Sequence, residues 1–142
     1  MIMNFDEFKI LHSETIMYYQ VVEHDLKLIY AYMHKGDVND NFDRVETRTL
    51  GQMIDLLKAL DNEDGKPNIS SGDYNFLKQL SKNRNHWAHK VFTEFMYEEN
   101  FIYSDEYAKQ CQKLAKDHDR LSVVFRNVEK VRIRLCSEVY RR

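Results

Sequence analysis

The sequence predicts an all-α chain, an up-and-down four-helix bundle with long first and last helices that forms one domain over residues 1–142. Two observations carry this. Apolar residues recur every three or four positions over long stretches, the spacing of one helical face. The 142 residues contain only four Gly and one Pro, too few for a turn-rich β architecture. Hydrophobic content of 43% and charged content of 31% are those of a globular protein with a buried core.

Taken in order, the first helix is expected from about Asp6 to Lys35. Its stripe is Phe8, Leu11, Thr15, Tyr18, Val22, Leu26, Ile29 and Met33, and Gly36 with Asp37 marks its stop. His12, Tyr19, Glu23 and Tyr30 border that stripe. Glu23 reads as a solvated border residue, with a place between helices as the alternative. His24 falls on the far, exposed side. Gly36–Arg44, GDVNDNFDR, reads as a loop. Asp37, Asn39 and Asn41 alternate as in a calcium loop, but the central Gly and closing Glu are missing, which rejects calcium. A second helix is expected from Glu46 to Leu60, and Asp61–Gly72 is a second loop holding the only Pro. The third helix starts near Ser71–Asp73 and is expected to run through Trp87, Ala88, Val91 and Phe95 to a turn in Tyr97–Tyr103. The fourth, from Ser104 to Tyr140, buries Tyr107, Cys111, Leu114, His118, Leu121, Phe125, Val128, Val131 and Leu135. His118 reads as a hydrogen-bonded core histidine. The aromatic residues crowded between Phe92 and Tyr107 suit core or dimer packing, with base stacking as the alternative.

Cys111 and Cys136 lie 25 positions apart on one expected helix, beyond disulfide reach, and read as reduced thiols of a cytoplasmic protein. The N-terminus lacks a signal-peptide core, and no apolar run approaches a membrane span. The net charge of −2 is unevenly spread. Residues 1–73 hold seven Lys/Arg against fourteen Asp/Glu, and residues 74–142 hold fourteen against nine. A polyanion would therefore bind the second half. On the last helix, Lys109, Lys113, Lys116, Arg120, Asn127, Lys130 and Arg134 form a stripe about 37 Å long at 1.5 Å per residue. That length can follow a strand of phosphates, and a solvated helix face is the alternative.

The densest chemistry lies in Ser81–Phe92, SKNRNHWAHKVF. Asn85 and His89 are i and i+4 on a helix and share a face, and Arg84 flanks them by about 100°. One helix cannot close a pocket around a substrate, so a neighbouring helix or a second subunit must supply the other wall. Arginine offers a permanent charge and a planar fork for phosphate. Histidine can take or give a proton near neutrality. Asn85 can orient either. His86-x2-His89 could place two metal ligands on one turn, but no clustered Cys, His or carboxylate completes a set, so no metal is expected.

Arg84, Asn85 and His89, at this spacing on a helix, resemble the signature of the HEPN family, small helical domains with an Arg-(four to six residues)-His motif. The helical pattern extends the resemblance over most of the chain. It implies a homodimer and a metal-independent endoribonuclease without cofactor, of the toxin–antitoxin or phage-defence kind. In this reading RNA's own 2′-hydroxyl is the nucleophile. Arg84, Asn85 and His89 are then catalytic. Lys82, His86, Lys90, Lys109, Lys113, Lys116 and Arg120 are candidates for binding RNA. A cognate antitoxin protein is a candidate partner, and no membrane is expected. One subfamily carries Tyr two residues after the His, where a partner nucleotidyltransferase modifies it; Val91 stands there in this chain. Two alternatives stay open. Arg84 and His89 pair with acidic neighbours and tie helices together, or the domain binds a nucleotide, RNA or protein without cutting.

Overall fold

The computed structural model describes residues 2–141, all of whose regular structure is helical. α1 (Phe5–Met33) starts where the Asn4 side chain accepts from the Glu7 N–H at 2.8 Å, with Asp6 and Glu7 facing the positive end of the helix dipole. Phe8, Thr15, Tyr19, Val22, Leu26 and Ile29 are its buried face. Gly36, at φ 106°, turns the chain in a region closed to most L-residues.

Within the expected loop 36–44 lies a helix, α2 (Val38–Val45), which makes five α-helices among the described residues rather than four. Asp37 caps it by accepting from the Asp40 N–H at 3.1 Å. Asn41, fully buried, turns its amide onto the carbonyls of Ala31 and His34 at 3.1 and 3.0 Å. One asparagine thus satisfies the open carbonyls at the end of α1 and pins α2 there. The polar composition that suggested a loop is the capping chemistry of a short helix with Val45 buried.

α3 (Leu50–Asp61) begins four residues later than expected, because Thr49 and Gln52 form a reciprocal capping box at 3.2 and 3.0 Å. It ends on a buried carboxylate, where the sequence suggested the start of a loop. Asp61 accepts from the Asn68 and Ile69 N–H groups at 2.7 and 3.0 Å and from the Tyr74 hydroxyl at 2.8 Å. That ties the following loop back onto the bundle. Burial first, then this bond, holds the Tyr74 phenol far above its usual range.

α4 (Ser71–Asn85) is capped by Ser70 and passes into a π turn, His86–Lys90, and then a 3₁₀ turn, Val91–Glu94. A second 3₁₀ turn, Phe101–Tyr103, leads into α5 (Asp105–Tyr140), capped by Ser104. α1 packs on α2, α3 and α5, and α4 packs on α3 and α5. One end of the bundle is an aromatic cluster. Phe5 meets Phe101 at 5.0 Å, Phe8 meets Phe95 at 5.6 Å, and Phe95 meets Tyr107 at 5.1 Å, edge-on or tilted. These aromatics are core, whereas Tyr97 and Tyr103 stand exposed.

At the opposite end of the same helix pair, Asp25 of α1 lies buried with Arg132 of α5 at 3.0 Å. Its second carboxylate oxygen has no hydrogen-bond partner among the described residues. Burial raises the Asp25 carboxyl above its ordinary 3.8, more than Arg132 lowers it. A carboxyl raised in the folded state costs nothing at a pH below 3.8. The penalty grows as pH rises from there through the raised native value. Asp25→Asn is expected to lessen the decline in stability over that interval, read as urea midpoints at pH 4 and pH 7 for both proteins.

Candidate functional site

The segment that carries Arg84, Asn85 and His89 is shaped by one buried tryptophan. Trp87 sits in the core, and burying its indole N–H requires an acceptor. Asp117 of α5, also buried, supplies it at 2.8 Å, and the same oxygen accepts from the Asn83 amide at 2.9 Å. The helix widens just here. The Val91 N–H bonds back to the His86 carbonyl, five residues away, instead of to Trp87. The Trp87 carbonyl then takes a hydrogen bond from His12 Nε2 of α1 at 2.6 Å. A carbonyl only accepts, so that nitrogen of His12 carries the proton. The expected uninterrupted third helix therefore stops at Asn85. Ala88, placed on its apolar stripe, is exposed, while Trp87, Val91 and Phe95 are buried as expected.

Arg84 points toward α1. Its guanidinium lies 3.5 Å from the carboxylate of Glu23, whose side chain is only 17% exposed against 38% for Arg84. Glu23 is thus an interhelical partner, not a solvated border residue; the arginine it meets is what makes its burial tolerable. Asn85, His89, Lys90 and Lys82 are exposed. Asn85 and His89 are both exposed, whereas Arg84 is partly covered and held against Glu23. His86 is half-buried, and its Nε2 meets the Gln110 side-chain oxygen at 2.7 Å.

The cations of α5 run alongside. Lys109, Lys116 and Arg120 are exposed. Lys113 places its ammonium 5.7 Å from the Trp87 ring, and Arg120 lies 5.8 Å from Phe76 of α4. These four follow the α4–α5 seam for about 16 Å at 1.5 Å per residue. Farther along the expected stripe, Asn127 donates to Asp73 at 3.2 Å, Arg134 donates to Asn68 at 2.5 Å and to Glu138 at 3.1 Å, and Lys130 is exposed. The near part of the basic stripe lies next to the motif.

His118 is half-buried, not central to the core. Its Nε2 meets Glu14 of α1 at 2.6 Å, and its Nδ1 meets Asp119 at 3.3 Å. That bond, followed by one from Tyr18, lowers the Glu14 carboxyl below its usual value. The core position belongs to Asp117, one residue earlier. Both fit the stripe between Leu114 and Leu121, at spacings of three and four, and only the missing partner for Trp87 distinguishes them.

Among the described residues, no group of three or more His, Cys, Asp or Glu is placed to hold a metal ion. No described helix is long and apolar enough to cross a membrane. Comparison of the chain with protein-family models, curated proteins and solved structures finds no match.

Asp117→Ala would strand the buried indole N–H of Trp87, costing about 1–3 kcal/mol, and free the part-buried Asn83 amide. The variant is expected to unfold at clearly lower urea concentration. Because Trp87 is the only tryptophan, its emission should also shift in the folded variant. Wild-type stability and emission would mean that the carboxylate does not hold the turn.

Proposed function

We propose that this chain is a HEPN-like, metal-independent endoribonuclease of the toxin–antitoxin or phage-defence kind, acting on single-stranded RNA. The observation that carries the reading is that Asn85 and His89 are exposed close to Arg84 in the chain, beside a row of cations on α5. In this reading Lys109, Lys113, Lys116 and Arg120 hold phosphates along the α4–α5 seam, and Lys82 and Lys90 extend that field around the turn. Arg84 binds the phosphate to be cut. Its fork has five donors, and the long contact to Glu23 leaves donors for a second anion. His89 moves a proton, and Asn85 orients it or the phosphate. The 2′-oxygen attacks phosphorus, and the bond to the 5′-oxygen breaks. The products are a 2′,3′-cyclic phosphate and a 5′-hydroxyl.

A homodimer completes the site. One turn cannot surround a substrate, so in this reading a second copy of the turn faces the first and supplies the other wall. Exposed Met96 and Tyr97, just beyond the motif, offer apolar surface for that contact. A cognate antitoxin would cover the same cleft, and such a protein would work in the cytoplasm.

One observation favours a second reading. Arg84 is already paired with a mostly buried carboxylate, as a helix tie would be. A domain that binds a nucleotide, RNA or a protein partner without cutting would use the same surface.

Purified protein incubated with RNA in EDTA separates the two. Cleavage is expected, His89→Ala is expected to lower its rate by about 10²–10⁴-fold, the usual worth of acid–base help, and Arg84→Ala, which removes the charge at the phosphate, is expected to leave little activity. Tight RNA binding with no cleavage would favour the second reading. A folded His89→Ala protein cutting at the wild-type rate would move the chemistry elsewhere.

A further inference from the structure

Cleavage by the 2′-hydroxyl needs a base for that hydroxyl and an acid for the leaving 5′-oxygen, and His89 can serve as only one of them at a time. A second histidine of the same turn is held in a defined protonation pattern. His86 Nε2 lies 2.7 Å from the side-chain oxygen of Gln110. The amide orientation of Gln110 is not arbitrary, because its NH₂ donates to the Glu106 carboxylate at 2.8 Å, and a carboxylate only accepts. The oxygen of Gln110 must therefore face His86, and His86 Nε2 must carry the proton. The neutral ring then keeps its lone pair on Nδ1. That atom makes no hydrogen bond among the described residues, nor is it one of their buried unpaired atoms. It is therefore not fully buried. A carboxylate and an amide behind a histidine fix its tautomer and ring orientation in the way a proton-transferring imidazole requires.

Resting on the RNA-cleavage reading, we propose that His86 is the general base of the site and that His89 is its acid. The 2′-hydroxyl gives its proton to His86 Nδ1 as the 2′-oxygen bonds to phosphorus. The bond from phosphorus to the 5′-oxygen breaks, and that oxygen takes a proton from the His89 imidazolium. Gln110 and Glu106 are positioning residues. The other titratable or charged groups around the turn include His12 of α1, bonded to the Trp87 carbonyl, Asp117 of α5, bonded to the Trp87 indole, Lys113 of α5, near the Trp87 ring, Arg84 at the end of α4 with its partner Glu23, and Lys90 of the turn itself.

The test combines rates with a readout independent of activity. In EDTA the wild type is expected to give a bell-shaped pH–rate profile. His86→Gln should lower the rate by about 10²–10⁴-fold, lose the acidic limb and keep its RNA affinity. Glu106→Ala frees the Gln110 amide to turn and should displace the acidic limb without abolishing activity. Nitrogen-15 NMR of the wild type should find the neutral His86 ring protonated on Nε2, and Glu106→Ala should mix the two tautomers. The assignment to His86 is overturned by a His86→Gln protein that cuts at the wild-type rate. It is equally overturned by one that loses only affinity, as a rim charge would, or by a neutral wild-type ring protonated on Nδ1. A wild type that never cuts RNA overturns the cleavage reading itself, and this assignment with it. A wild type that cuts while His86→Gln cuts equally refutes His86 alone.

Discussion

The carboxylate of Asp117, buried among helices, has to find donors or be expelled to water. It finds the indole N–H of Trp87 and the amide of Asn83. Everything around the motif follows from that. Trp87 can be fully buried only because Asp117 receives its proton donor. With Trp87 drawn inward, the backbone accommodates an extra residue in its turn, and the Trp87 carbonyl is left for His12. The same inward pull sets Asn85 and His89 on the outside and turns Arg84 toward Glu23. A single buried oxygen thereby couples α1, α4 and α5 at the one place where the chain concentrates cations and histidines.

The electrostatics of that place is unevenly balanced. Arg84 has a carboxylate within 3.5 Å, whereas the four cations of α5 along the seam point into solvent or over aromatic rings. Cation–ring contacts orient an ammonium or guanidinium without neutralising it, so the positive field remains available to an anion. Farther along α5, Asn127 meets Asp73 and Arg134 meets Asn68 and Glu138, while Lys130 is exposed.

The helical class, the long first and last helices and most of the core were legible because apolar spacing is set by backbone geometry. α2 was not. Asp37 and Asn41 belong equally to a loop vocabulary, and only the need of α1 for an end cap converts them into helix-forming residues. The same limit applied at the site. Arg84, Asn85 and His89 stood out by residue type, but which side each leaves depends on the π turn, and that depends on Trp87 meeting Asp117. Gln110 and Asp117 read as polar intrusions in an apolar stripe, and their partners, His86 and Trp87, lie more than twenty residues away in sequence. Glu23 looked solvated for the same reason, since its arginine is on another helix.

We propose that RNA is cut at this turn by its own 2′-hydroxyl. The most direct measurement compares a single-stranded RNA with the same oligonucleotide carrying hydrogen in place of every 2′-hydroxyl, both incubated with the protein in EDTA. The account requires the RNA to be cut and the deoxy strand to remain intact, because the nucleophile is missing from it. Cleavage of the deoxy strand at a comparable rate would contradict the account, since it would need water as the nucleophile.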